Sequence, residues 1–467
     1  MERGGAWRDL SASGLLGRFV LLCTGVWLHA ADSLVTATIV PAIVYEIGGV
    51  AYVGWTISLY QVGAIVAGAA TAALCQRIGT RRVMMAAALL YGSGCVIAAL
   101  APNMAILLGA RFVQGIGGGT LISLSYVAIQ QSFAEQLWSR LFGIVAVIWG
   151  AGSLLGPLIG GVLADLDAWR WAFWFFAIQA AGLWVMACVF LPAPPTPRKP
   201  AEEWPVPPLL VLCVATLIIA HAGLAERIAV SIAESLVGVG LLYMAARLDR
   251  RSRSKLLPAR MLDVRRPLGA GLLMVFALSA ATTGFWAYGP FILKIMFGTD
   301  PLISGYILAA EALAWSSATL AVSSAPLSAG KMLIRWGAGL VAIGTAGFAA
   351  VVPLGSLALM VICGLSTGIG FGLCWPSIVH RTVRFCDEGE EALAAAAPGT
   401  VQRIGYAVGA AATGIAANAS GLADGISVAA ARAAGFWVFA GFIPVLVVGL
   451  LGAWWFTKGG DERRLSP

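Results

Sequence analysis

Charge is what this sequence has least of. Only 11% of its 467 residues are Asp, Glu, Lys or Arg, against 60% hydrophobic ones. A soluble chain carries about a quarter charged residues, so a water-soluble body is excluded. Histidine is scarce: His29, His221 and His380 are the full set, and they form no metal-ligand cluster. The eight cysteines are scattered and contain no CxxC pair, which argues against a disulfide framework or a zinc site. Phosphate-binding loops of the Walker type are missing as well, and no sizeable soluble segment is left to hold one. No cofactor, no metal and no enzymatic activity are therefore expected.

What the sequence has is long apolar runs. Each is about 20 residues, the length of a membrane-crossing helix, and none shows the alternating ~10-residue pattern of a barrel. Inside hydrocarbon every backbone polar group must be satisfied within the segment, so such runs must be helical. The net charge of +8 lies in short loops between the runs, which reads as orientation charge and not as a nucleic-acid surface. Arg3, Arg8 and Arg18 precede the first run, and His29-Ala30-Ala31 has the look of a cleavage site. The apolar stretch continues through Ile39 to Tyr45, however, which is too long for a signal peptide.

Fourteen spans are expected, at about 17–44, 51–74, 82–101, 104–131, 140–164, 170–191, 208–225, 228–246, 267–297, 302–324, 332–352, 355–380, 394–419 and 433–457. They group into an N-terminal six-helix bundle (1–191), a Pro-rich cytoplasmic linker (192–206), an additional two-helix hairpin (207–247), a basic cytoplasmic loop (248–266) and a C-terminal six-helix bundle with a short tail (267–467). Loop charges support this count. With the N-terminus in the cytoplasm, the outer loops hold only Arg170, Arg227, Lys294 and Arg432. Arg111 and Arg403 lie within spans, and the other twenty-four basic residues fall inside, as the positive-inside rule requires. The fold class is therefore all-α integral membrane: two six-helix bundles, two extra helices between them, fourteen spans and both termini cytoplasmic. Two similar halves are a common transporter plan. The glycines Gly115, Gly117, Gly118 and Gly119 of the fourth span find an echo in Gly364, Gly368, Gly370 and Gly372 of the twelfth.

Several strings carry more than hydrophobicity. The fourth span contains Arg111 followed by Gly115 and Gly117, an expensive intramembrane charge beside glycines that let another backbone approach. In the fifth span Gly152, Gly156 and Gly160 share one face, and Pro157 removes a helical hydrogen bond. The second and third spans are joined by Gln76, Arg77, Gly79, Arg81 and Arg82. The first span holds Asp32, Thr38, Ile39, Val40 and Pro41, and Trp169-Arg170-Trp171 precedes the sixth.

These strings resemble the major facilitator superfamily, in particular its fourteen-helix drug/proton antiporters. Arg111 to Gly117 resembles the RxxxGxG motif of proton-coupled members. Gly152 to Gly161 is similar, nearly letter for letter, to the GxxxGPxxGG antiporter string. The Ala72–Arg82 segment resembles the GxLaDrxGrr loop, but Gln76 stands where that family has an acidic residue and Ala72 where it has the first glycine. Asp32 to Pro41 resembles the first-helix motif, and Gln402-Arg403-Ile404-Gly405 the RQxG pattern. The resemblance implies a major facilitator fold in a bacterial inner membrane. It also implies export of amphipathic or drug-like small molecules in exchange for protons, with Gly152, Gly156, Pro157, Gly160, Gln76, Arg77, Gly79 and Arg81 as the conformational motif residues. A monomer is expected, with the substrate, protons and the lipid bilayer as its partners and no nucleic acid.

Four charges lie well inside spans: Asp32, Arg111, Glu311 and Arg403. Burial in oil disfavours a lone charge, so Asp32 and Glu311 are candidates to take up and release protons, with Arg111 tuning a proton site. Glu311 could equally meet a cationic substrate. The alternative for each is a fixed carboxylate–arginine pair that only fastens helices together. His29, one turn before Asp32, is either a packing residue or part of a relay. Glu234 lies in the added hairpin and could face a bundle edge. Gln114, Trp286, Tyr288, Trp315 and Arg403 are the candidate substrate-cavity residues, since aromatic walls suit flat or cationic compounds. Rival readings are an exporter of one metabolite, lipid or siderophore, an uptake symporter, and a membrane sensor or scaffold that moves nothing.

Overall fold

The computed structural model describes residues 15–132, 135–191, 206–222, 228–252, 255–322, 325–388, 390–422 and 427–458. Among them fifteen α-helices occur and no strand. The first six are α1 (Leu15–Ile47), α2 (Val53–Ile78), α3 (Thr80–Ala99), α4 (Met104–Ser132), α5 (Glu135–Asp165) and α6 (Trp169–Phe190). The hairpin is α7 (Val206–Ala222) and α8 (Ile228–Arg251). The second group is α9 (Pro267–Phe297), α10 (Pro301–Ala321), α11 (Gly330–Leu354), α12 (Leu357–Arg384), α13 (Glu391–Ala419), α14 (Val428–Ala440) and α15 (Ile443–Lys458).

Helix starts follow local chemistry. Pro267 and Pro301 open α9 and α10, where the missing N–H of proline costs nothing. Gly79 ends α2 and begins α3 with φ 85°, a conformation that glycine adopts without a steric penalty. This accounts for the glycine of the loop motif.

Eleven stretches are long and apolar enough to cross a membrane. The expectation of fourteen spans is thus met in part. Of the other three, α7 is apolar but has only 17 residues. The remaining two, α10 and α13, carry Glu311, Arg403 and several hydroxyls and amides, which dilute their hydropathy. Two further boundaries are corrected. The hairpin helix α8 runs to Arg251, past the expected 247, and the last span is broken at Gly441–Phe442 into α14 and α15. The proline-rich linker, the Glu226–Arg227 turn and the extreme N-terminus lie outside the described residues.

α1 to α6 pack together through α2–α4, α3–α4, α1–α5 and α3–α6, and α9 to α15 through α11–α12, α10–α12, α9–α13 and α9–α15. The two bundles meet where α5 lies on α10 and α2 on α13. The α7–α8 hairpin leans on this second seam, with α7 touching both α2 and α13. The glycine face of α5 behaves as its spacing requires. A Cβ built on Gly156 would sit 2.8 Å from Leu34 Cβ, and one on Gly160 3.0 Å from Val35 O of α1. The neighbouring face meets the other bundle: Gly161 abuts Leu302, and Pro157 abuts Gly305. Gly54 against Ala410 O, and Asn418 Nδ2 donating to Ala51 O at 3.1 Å, close the α2–α13 seam at the same end. The bundles are therefore pressed together at the end that carries the α1–α2 and α9–α10 turns.

At the opposite end the segment after α8 is fastened to the second bundle. Lys255 Nζ donates to Glu390 at 2.6 Å, Ala259 N to Glu390 at 3.0 Å, and Arg260 pairs with Asp387 at 3.0 Å.

Candidate functional site

The first bundle encloses a polar cluster. Asp32 of α1 is fully buried and Arg111 of α4 is 2% exposed. The Arg111 Nη1 lies 2.9 Å from Asp32 Oδ2 and donates at 2.8 Å to Gln114 Oε1, while Gln114 Nε2 donates to Asp32 Oδ1 at 3.0 Å. Arg111 Nε donates to Thr56 O at 3.3 Å, and its guanidinium lies 4.4 Å over the ring of Tyr60. A buried ion pair survives in a low dielectric only when its remaining hydrogen bonds are made, and here α1, α2 and α4 make them jointly. From α3, Cys95 receives the second amide proton of Gln114 at 3.1 Å. His29 does not reach Asp32. Its Nδ1 is 2.7 Å from Tyr60 Oη, and the edge of its ring faces Trp149.

The second bundle holds Glu311 of α10, 3% exposed. Its neighbour is the Trp286 indole. Among the described residues no ion pair reaches it, and its Oε2 has no hydrogen-bond partner. Thr282, Phe285, Thr345, Phe348, Thr367 and Phe439 join it around a small internal void. The two carboxylates thus differ in setting: Asp32 is held by a guanidinium, and Glu311 is not.

The five expected cavity residues fall in separate surroundings. Gln114 belongs to the Asp32 cluster. Trp286 adjoins Glu311. Tyr288 is fully buried and reaches across to Gly54 of α2. Trp315 stacks on Phe371 at 4.7 Å with Trp375 at its edge. Arg403 extends from α13 toward Gly68 of α2, within electrostatic reach of His29. Of the motif residues, Arg77 is exposed, Arg81 half-buried and Gly79 forms the turn. Gln76 is helical, but its side chain lies outside those described. Glu234 pairs within the hairpin with His221 at 3.0 Å. The Trp169-Arg170 pair binds Glu46 at the end of α1, with a second Arg170 nitrogen on Ala101 O.

Tyr60, Cys95, Thr282, Thr345 and Thr367 were not singled out by the sequence. They carry no charge and resemble many other small or aromatic helix residues. The glycine echo between the fourth and twelfth spans could have pointed to Thr367, which immediately precedes Gly368 of α12, but the other four lie on α2, α3, α9 and α11, which that echo does not align.

The sequence and the architecture match known proteins. The sequence profile of the Major Facilitator Superfamily covers residues 22–410. The chain belongs to the major facilitator superfamily. It is therefore a multi-pass membrane transporter. A Mycobacterium tuberculosis protein named as a probable multidrug-efflux transporter is 31% identical over 99% of this chain and 98% of its own length. The multidrug efflux pump SdrM of Staphylococcus aureus is 24% identical over 62% of this chain and 65% of its own. Among solved structures, a D-xylose–proton symporter superposes with a TM-score of 0.68 at 15% identity, over 95% of this chain and 97% of that one. At that identity it shows the shared major facilitator fold alone.

Proposed function

We propose that this transporter exports amphipathic, drug-like small molecules by alternating access, in exchange for protons, from the cytoplasmic side of a bacterial inner membrane. The observation that carries the reading is a carboxylate buried within a span in each bundle, Asp32 and Glu311, both sealed from water. A charge held in oil is costly and is retained where an ion moves. The α5 string supports antiport, since its glycines grip α1 while its other face meets α10 across the bundle seam. Efflux relatives of full length support the substrate class. With both termini in the cytoplasm, as the loop charges favour, the end pressed shut faces outward.

The test is ethidium exchange by the purified protein in proteoliposomes under an imposed pH gradient. Wild type should exchange ethidium for protons, and at least one of Asp32→Asn and Glu311→Gln should stop or uncouple it. Full exchange by both variants with unchanged pH dependence would remove the carrier assignment.

A further inference from the structure

The two buried sites are built on one plan. A Cβ on Gly115 of α4 would collide with the carbonyl of Tyr60, and a Cβ on Gly368 of α12 with the carbonyl of Glu311. Gly117 likewise meets Tyr91 and Gly370 meets Val341, while Gly119 meets Ala64 and Gly372 meets Trp315. The matching fixes an equivalence between the halves. One turn before Gly115 stands Arg111, and one turn before Gly368 stands Gly364. Immediately before those glycines stand Gln114 and Thr367. One turn after Tyr91 and Val341 stand Cys95 and Thr345.

The second bundle therefore has a carboxylate but only a glycine where the first has its guanidinium. A side chain built at Gly364 would point at Phe285 and Phe348, with its Cβ 3.5 Å and 3.9 Å from their rings. Those two rings wall the void beside Glu311. The oxygens around that void face it largely as acceptors. Thr282 Oγ1 donates to Leu278 O at 3.2 Å and Thr367 Oγ1 to Cys363 O at 2.9 Å, so both spend their protons on their own helices and turn lone pairs outward. Glu311 Oε2 and Thr345 Oγ1 have no partner among the described residues. Buried polar atoms without partners are rare and call for an explanation.

We propose that this space binds a small, dehydrated monovalent cation of sodium size. Glu311 Oε2 and the hydroxyl oxygens of Thr282, Thr345 and Thr367 hold it in the place that the Arg111 guanidinium takes in the other bundle. Carboxylate and hydroxyl oxygens are hard donors suited to a hard ion. The void is too small for a water molecule, which selects a bare ion over a hydrated one. A proton on Glu311 and a sodium ion compete for the same oxygen. The proposal rests on the reading of this chain as an ion-coupled transporter and names a second ion for it.

The experiment measures thermal unfolding of the full chain in detergent at alkaline pH, with NaCl titrated against choline chloride and KCl at constant ionic strength. A ligand that binds only the folded state raises its stability with concentration. Sodium alone should raise the unfolding midpoint. Glu311→Gln and Thr345→Val should raise the sodium needed for half the shift by at least about tenfold, while Glu234→Gln, in the hairpin away from the void, should keep it. Thr345→Ser, which retains the oxygen, should restore the shift if Thr345→Val folds poorly. A wild-type midpoint that responds equally to sodium, potassium and choline overturns the site. In proteoliposomes at equal pH, a sodium gradient should also drive ethidium exchange. Exchange driven by a proton gradient and never by sodium sinks this inference and leaves proton antiport standing. A sodium-specific midpoint shift without exchange under either gradient keeps the site and sinks the transport reading.

Discussion

The carbonyl oxygens of Tyr60 and Glu311 occupy matching places in the two bundles, one against Gly115 and the other against Gly368. The same backbone crossing therefore supports a phenol in one half and a carboxyl group in the other. Around Tyr60 the cluster carries its own cation, Arg111, stacked on the ring. Around Glu311 the corresponding position is Gly364. The halves share a frame and differ in which charge is built in.

That shared frame makes the two crossings comparable by mutation. Gly115→Ala and Gly368→Ala each drive a methyl group into a carbonyl, and overpacking of this kind costs about 1–3 kcal/mol. Both variants should lower the thermal midpoint by a similar amount in detergent. A neutral result for one alone would show that the halves are not equivalent there.

Arg111 holds Asp32 in place. Removing one partner of a buried pair leaves an uncompensated charge, at a cost of about 3–5 kcal/mol. Arg111→Met should therefore destabilise the protein strongly, and the double variant with Asp32→Asn should recover much of the loss. A double-mutant cycle on unfolding midpoints measures the coupling.

Tyr60→Phe keeps the aromatic face over Arg111 and removes the hydroxyl that meets His29 at 2.7 Å. Loss of one such hydrogen bond costs about 0.5–1.5 kcal/mol. A modest fall in midpoint with retained expression is expected. A collapse of folding would place Tyr60 in a larger role than this pair.

At the closed end, Gly161→Leu forces a side chain into Leu302 of the opposite bundle. The clash acts only while that end is shut, so it should open it. Distances between spin labels on α5 and α10, measured by pulsed electron resonance, should lengthen at this end. An unchanged distance distribution would show that the seam yields locally.

Beyond the spans, Glu390 provides a pH handle. Burial opposes its charge, but hydrogen bonds from Lys255 and Ala259 N–H outweigh this and hold its carboxyl below the usual glutamate range. A group with a depressed folded value contributes stability above its unfolded value, about pH 4.3 for Glu. That contribution is lost as pH falls through the lower, folded value. Attachment of the 255–266 segment should thus persist at neutral pH and weaken on strong acidification, and Glu390→Gln should weaken it at pH 7. Hydrogen exchange at Ala259 reports this directly.

Hydrophobic run length, loop charge and the spacing of Gly152, Gly156 and Gly160 were enough to give an all-helical membrane protein of two bundles and a hairpin, and the face by which α5 grips α1. These are local properties: an apolar stretch in lipid has to be helical, and residues four apart share a face whatever lies beyond. Partnership was not legible in the same way. Nothing in the chain states that Asp32 meets Arg111, that Glu311 meets no arginine among the described residues, or that His29 turns to Tyr60, because each contact joins helices distant in sequence. The dilution of α10 and α13 is compositional and could be read from the chain, whereas the break at Gly441–Phe442 is visible only in the structure. Tertiary packing alone decided which buried charge is matched inside the protein and which is left facing a void.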